Sequence, residues 1–165
     1  MFESDNLSHN GFTTIEILIV LMIMVLIFSF GFANYREFQR RKELEYIKNS
    51  VVTDLLEARE KAFSGVKPVG CVVLKSYNFN IINMTTYSIE SECTNSNFND
   101  KTVSLSSGYT IEVLNSMPNP LKFRSLGEGT NVPVCATPPC PSISLEGAIT
   151  GERADVFVTN TGVFQ

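Results

Sequence analysis

The most conspicuous pattern along the chain is a dense apolar block near its N-terminus. Residues 12–33 form a run of 22 that contains no proline and a single charged side chain, Glu16. A helix of roughly 20 apolar residues spans the hydrocarbon core of a bilayer. A helix in the core of a globular domain would show a polar face, whereas residues 17–28 are apolar on every side. The block therefore predicts a membrane-spanning helix over residues 12–34.

After this block, the apolar residues recur with the periodicity of an α-helix. Apolar or small residues recur at intervals of three or four, at Leu44, Ile47, Val51, Leu55, Ala58 and Ala62. This spacing places them on one side of a helix. Gly65 suits a C-terminal cap and Pro68 prevents continuation. The pattern predicts that the helix continues over residues 35–64 as an amphipathic second half.

After residue 65 the pattern changes to short β-prone runs separated by Gly, Pro, Asn and Ser. The runs are GCVVLKS, FNIINM, TTYSIES, YTIEVLN, LKFRSL, SISLEG and ADVFVTN, and such runs are typical of strands. They predict a mainly antiparallel, β-rich globular head over residues 65–165. A small sheet needs a cover for its apolar face, so we expect the helical stripe to pack against it. The expected fold class is α+β.

Composition and charge restrict the classes of function that the chain can have. The 165 residues fit one domain with an attached segment, and a net charge of −4 with a pI of about 5.0 gives no overall attraction to nucleic acid. The only histidine, His9, precedes Gly11, so nucleophile systems that use a histidine base are absent from the rest of the chain. The GEGT at Gly127 to Thr130 lacks the lysine of a phosphate-binding loop and predicts a turn. We expect a protein that is not an enzyme and has no cofactor.

The residues at the start of the apolar block carry a resemblance to a known family. Gly11-Phe12-Thr13-Thr14-Ile15-Glu16, followed at once by an apolar helix, resembles the class III signal of type IV pilins and type II secretion pseudopilins. The resemblance implies that a prepilin peptidase cuts after Gly11, removes the leader 1–11 and methylates the new amine of Phe12. It further implies that Glu16 pairs with the Phe12 amine of a neighbouring subunit during assembly, because an ion in an apolar setting needs a partner. The alternative is that Glu16 is only an interfacial charge.

Later segments resemble one branch of that family. The stretches LKFRSLGEGT, SISLEG and ADVFVTNTGVFQ look like the closing strands of GspH/FimT-like minor pilins and pseudopilins. The resemblance implies a pilin-like fold, in which the first half of a long N-terminal helix spans the membrane and the second half packs on the head.

Two features bear on the topology in opposite directions. Basic residues are absent from the leader but follow the apolar block at Arg36, Arg40, Arg41 and Lys42, which by the positive-inside bias would place the head in the cytoplasm. The family resemblance implies the opposite orientation, and the cysteines agree with export. We therefore expect a single-pass inner-membrane protein with a cytoplasmic N-terminus and a periplasmic or extracellular C-terminal domain.

The four cysteines, Cys71, Cys93, Cys135 and Cys140, all fall in the head. An even number on an oxidising side of the membrane predicts two disulfides, for which three connectivities exist. We favour Cys71 with Cys93 and Cys135 with Cys140, since CATPPC would close a short, proline-stiffened loop. Zinc is the competing interpretation, but the chain has no C-x-x-C motif, and we expect no metal.

The leading functional hypothesis is a minor pilin or pseudopilin that joins or primes a type IV pilus or a type II secretion pseudopilus. Its expected partners are other pilin subunits, prepilin peptidase, the inner-membrane assembly platform and the lipid bilayer. A DNA-binding pilin for DNA uptake is the second hypothesis, but Lys122, Arg124 and Arg153 are scattered along the chain, so we expect no nucleic acid partner. A membrane-anchored protein of another function is the third.

Overall fold

The computed structural model describes residues 13–135, 137–149 and 151–164, and for residues 30–34 and 163–164 it describes the backbone without the side chains. The leader, Gly11 and Phe12 lie outside these ranges. The chain divides into two compact units, Met1–Gln39 and Arg40–Gln165. Helix α1 (Thr14–Ser64) contributes residues to both units. We describe the two units one at a time.

The expectation of a pilin-like fold with a membrane-spanning first half of the helix is wrong. Within the described residues, no helix combines the length and the apolar character that crossing a membrane requires. This finding also overturns the predicted location as a single-pass inner-membrane protein with a cytoplasmic N-terminus and a periplasmic or extracellular head.

The second unit, Arg40–Gln165, joins the C-terminal part of α1 to the predicted β-rich domain, and we call this whole unit the head below. Its described residues contain eight strands. They are β1 (Leu74–Asn83), β2 (Thr86–Cys93), β3 (Asn97–Ser104), β4 (Tyr109–Leu114), β5 (Leu121–Arg124), β6 (Ser142–Gly147), β7 (Arg153–Val158) and β8 (Val163–Phe164). All recorded strand pairings are antiparallel, in two four-stranded sheets of order β3-β2-β1-β5 and β4-β6-β7-β8. The mainly antiparallel β character predicted for the head is what the structure has.

Backbone hydrogen bonds join the two sheets. The N–H of Ile111 in β4 donates to the carbonyl of Met84, in the turn between β1 and β2, at 2.7 Å. On another side, the N–H of Arg124 in β5 donates to Gly129 at 2.9 Å, and Thr130 donates to Asn160 at 3.0 Å. These bonds satisfy strand-edge groups that would otherwise face solvent unpaired.

The strands differ from the predicted runs in two instructive places. The pattern predicts GCVVLKS and FNIINM as separate runs, but β1 joins the last three residues of the first run to most of the second in one continuous strand. The sequence pattern missed β3, whose residues NFNDKTVS are mostly exposed and show no apolar alternation. Such a strand forms because its neighbour β2 offers a full row of backbone partners.

One hydrophobic core joins the helix to both sheets. The side chains of the helical stripe are all buried, namely Leu44, Ile47, Val51, Leu55, Ala58 and Ala62. They belong to the same cluster as Phe79 and Leu121 of the first sheet and Ile143 and Val156 of the second. Burial of this stripe fixes which face of the helix in this unit belongs to the core.

Candidate functional site

The start of α1 is capped by the residues of the family-like motif. The N–H of Glu16 donates to the carbonyl of Thr13 at 3.0 Å and to its hydroxyl Oγ1 at 3.4 Å. A threonine followed three residues later by a glutamate has the spacing of a capping box, of which the threonine half is formed here. The acidic side chain of Glu16 in the first turn is favoured by the helix dipole. Glu16 therefore has a helix-starting role that the sequence analysis missed, although the T-x-x-E spacing was a signal for it.

Of the three residues predicted to act in processing and assembly, the structure describes one. Gly11 and Phe12, the cleavage and N-methylation positions, lie outside the described residues. Glu16 is described and exposed, and its carboxylate makes no hydrogen bond or ion pair with the rest of the described chain.

The helical stretch that follows Glu16 exposes its apolar side chains on every side. Every residue from Ile17 to Phe28 is a large hydrophobic residue, and their exposed fractions range from 47% to 67%. An isolated domain rarely leaves an apolar surface of this size uncovered. Among the described residues of this unit, none covers these side chains.

Both favoured disulfides are confirmed. Cys71–Cys93 ties the loop before β1 to the end of β2, with Cα atoms 5.7 Å apart. Cys135–Cys140 closes the CATPPC loop, with Cα atoms 5.4 Å apart. All four cysteines are thus bonded to sulfur. Among the described residues, no group of three His, Cys, Asp or Glu side chains could hold a metal ion.

Side-chain hydrogen bonds hold the loop next to the first disulfide. The amide Nδ2 of Asn95 donates to the carbonyl of Gly70 at 2.8 Å, and Oδ1 of Asn95 accepts from the N–H of Val72 at 3.2 Å. The loop is therefore fixed on both sides of Cys71 even though it has no regular secondary structure.

Three tyrosines on the strands hydrogen-bond to groups along the helix and just beyond it. Tyr109 donates from its hydroxyl to the carboxylate of Glu43 at 3.1 Å, near the beginning of the helical residues in this unit. Tyr87 donates to Asp54 Oδ2 at 2.8 Å, and Tyr77 donates to the carbonyl of Val66 at 3.0 Å. We call these residues the tyrosine series. A buried tyrosine normally finds a hydrogen-bond partner for its hydroxyl, so these bonds position the strands along the helix.

Tyr87, the middle member of the tyrosine series, hydrogen-bonds to the buried carboxylate of Asp54, which also binds Lys101. Asp54 is 3% exposed, and its carboxylate accepts from Tyr87 and from Lys101 Nζ at 2.7 Å. Burial, with the Asp54 hydrogen bond as the second cause, raises the pKa of the Tyr87 hydroxyl well above its usual range. The neutral phenol is therefore the form that the fold stabilises.

Two of the three basic residues considered for nucleic acid binding are held in ion pairs. Lys122 Nζ lies 2.7 Å from Glu92 Oε2, and Arg153 Nη2 lies 2.9 Å from Glu146 Oε2. The hydrogen bond from Lys122, followed by that from Asn78, lowers the pKa of Glu92. This arrangement leaves Lys122 and Arg153 little free charge for a phosphate backbone.

The residues around the expected GEGT turn form a tight loop. Residues Ser125–Gly127 make a 3-10 turn, and Leu126 has a positive φ of 60°, which is uncommon for a residue other than glycine. Gly129 has a φ of 81°, and a Cβ added there would lie 2.9 Å from the carbonyl oxygen of Asn160. Glycine at this position lets the loop reach the turn between β7 and β8.

Comparison of the chain with protein-family models, with curated proteins and with solved structures found no match.

Proposed function

We propose that this protein is a structural filament subunit of the minor pilin or pseudopilin kind, rather than an enzyme, and that a prepilin peptidase processes it between Gly11 and Phe12. The observation that carries the proposal is the contrast within the chain itself. The head has a complete core of its own, while residues 17–28 keep large hydrophobic side chains exposed on every side.

Packing of such stretches against one another in a filament would supply the missing cover. Burying one large aliphatic side chain contributes roughly 1.5–3 kcal/mol, so even a few from each stretch make association favourable. A stretch that is apolar all round can contact several neighbours at once, as a subunit in a helical array must. The folded head would then stay on the outside with its own stability.

Glu16 gives this association a direction in the proposal. Its carboxylate stands in the first turn of α1, four residues along the sequence from Phe12, where cleavage would create an amine. In an apolar setting, an amine and a carboxylate from neighbouring subunits favour one another, and either of them alone is costly. The pair would fix the longitudinal register between neighbours, which apolar packing alone leaves free.

Filament incorporation tests this proposal. Wild type, Glu16→Ala and Gly11→Leu are compared for total cellular level and for level in sheared filaments, in a host with an active prepilin peptidase and its filament machinery. Mass spectrometry reports the mature N-terminus. We expect loss of residues 1–11 from the wild type, an uncut chain for Gly11→Leu, and at least ten-fold less Glu16→Ala in filaments at equal cellular level.

Glu60→Ala is the matched control, because Glu60 is an exposed glutamate on the same helix but in the head. It should be incorporated like the wild type. A wild-type chain that keeps Met1, or equal incorporation of Glu16→Ala and Glu60→Ala, would contradict the proposal.

A further inference from the structure

A pocket of about 100 Å³ opens on the head near the C-terminal end of α1. Arg59 and Phe63 of α1 form one wall, and Arg124 at the end of β5 forms another. The remaining lining residues come from β5, the loop after it and the turn between β7 and β8, namely Phe123, Gly127, Gly129, Thr130 and Thr161. We call this the two-arginine pocket. It has two cationic side chains, and no acidic residue is among those that line it.

The two arginines differ from the half of the basic residues of the head that are held in ion pairs. Six other lysines and arginines of this unit lie within 4 Å of a carboxylate, namely Arg41, Lys42, Lys61, Lys101, Lys122 and Arg153. Arg59 and Arg124 have no such partner within the described ranges. Two guanidinium groups that border one small cavity repel each other, and an anion placed between them relieves that repulsion.

Contacts with the turn between β7 and β8 position the exposed side chain of Arg59, and the loop after β5 fixes the backbone of Arg124. The guanidinium carbon of Arg59 lies 3.4 Å from where a Cβ would stand on Gly162, so this side chain rests on the turn between β7 and β8. The backbone N–H of Arg124 donates to Gly129 at 2.9 Å. Leu126 holds a left-handed conformation in the same loop, and backbone strain of this kind tends to occur at binding sites.

The chemistry of the lining selects a class of ligand. A guanidinium presents paired N–H donors that match the oxygens of a carboxylate or phosphate, and such charge-assisted bonds are stronger than neutral ones. Phe63 and the buried Phe123 add apolar surface beside these donors. A volume of about 100 Å³ is smaller than a 150 Å³ cavity that holds benzene. We propose that the two-arginine pocket binds the oxyanion of a small ligand, a carboxylate or phosphate group held by Arg59 and Arg124 together.

Calorimetric titration of the purified full-length protein tests this proposal, with inorganic phosphate in one arm and benzoate in another at constant ionic strength. We expect saturable binding with one site per chain for at least one of the two probes. Arg59→Gln and Arg124→Gln should each weaken it at least ten-fold. Both side chains are exposed, so neither substitution should unfold the head, which circular dichroism checks.

Two charge-matched controls separate a site from general electrostatics. Arg36→Gln removes an exposed arginine of the first unit, and Lys75→Gln removes an exposed lysine of the head outside the pocket. Both should bind the probes like the wild type. The absence of saturable binding for both probes, or an equal loss in the control variants, would overturn the proposal. Tighter binding of phosphate than of benzoate would identify a phosphate ligand, and the reverse order would identify an organic carboxylate.

Discussion

Two stretches of helical residues in this chain are rich in apolar side chains but use them differently. In residues 17–28 every position is apolar and every side chain is exposed. In residues 44–62 the apolar residues recur every third or fourth position, and the six of the stripe are buried in the core of the head. The difference shows that the spacing of hydrophobic residues, more than their number, decides what a single domain can cover. A stretch without a polar face leaves its surface for other molecules.

The distribution of polar contacts follows the same division. In the head, helix and strands are linked by the tyrosine series and by the buried Asp54. All side chains of residues 17–28 are apolar, so they form hydrophobic contacts, which have no preferred direction. In the filament that we propose, the charged residue at the beginning of the stretch, Glu16, would supply the directional contact.

The largest change in stability that we expect comes from replacing a buried leucine of the second stretch by alanine, and the matching substitution in the first stretch is its comparison. Leu55 is completely buried, so Leu55→Ala should lower the free energy of unfolding of the head by about 2–5 kcal/mol. Leu21 is 56% exposed, so Leu21→Ala should change the same quantity by less than about 0.5 kcal/mol. Urea unfolding followed by circular dichroism measures both. Equal losses for the two variants would remove the distinction between the stretches.

The second prediction concerns the disulfides, both of which lie in the head. Replacing Cys71 and Cys93 by alanine together should destabilise the head by about 3 kcal/mol, because the bridge closes a loop across 22 residues. Replacing Cys135 and Cys140 together should cost less, about 2 kcal/mol, since that loop spans only 5 residues. Thermal unfolding of the two double variants makes the comparison. The reverse order would show that the proline loop contributes more than chain closure.

The smallest effect concerns the hydrogen bond between Tyr87 and Asp54. Tyr87→Phe leaves the buried carboxylate with one donor fewer, and should cost about 1–3 kcal/mol at neutral pH. The pKa of Tyr87 is raised in the folded state, so its contribution is complete below about pH 10, the usual pKa of tyrosine, and is lost as the pH rises above that value. The variant should therefore lose less stability than the wild type above pH 10.

Tyr46→Phe is the matched control for that measurement, because the Tyr46 side chain is 74% exposed. Urea midpoints between pH 8 and 11 should follow the wild type for Tyr46→Phe and show a weaker alkaline decline for Tyr87→Phe. An unchanged alkaline decline in Tyr87→Phe would mean that other groups cause it. Tyr77 and Tyr109, whose pKa values are also raised by burial as the first cause, would be the next to replace.

Local patterns predicted local features of the head well. The buried positions from Leu44 to Ala62 follow from a period of three to four, because residues at that spacing share one face of a helix. The bridge between Cys135 and Cys140 follows from their closeness in the chain. By contrast, β3 could not be predicted, because its exposed residues carry no alternation and the strand depends on β2 for its backbone partners.

The sequence by itself determined the helical stripe, the β-rich character of the head, the T-x-x-E spacing at Thr13 and Glu16 and the short bridge between Cys135 and Cys140, because each depends on residues close in the chain or on composition. Only the tertiary structure decided which strands are neighbours, which helix group each tyrosine of the series meets, and that Arg59 and Arg124 border one pocket. Those contacts join residues up to 69 positions apart, as in the bond from Tyr109 to the carbonyl of Arg40. They follow from how the core brings helix and sheets together, and no local pattern encodes that packing.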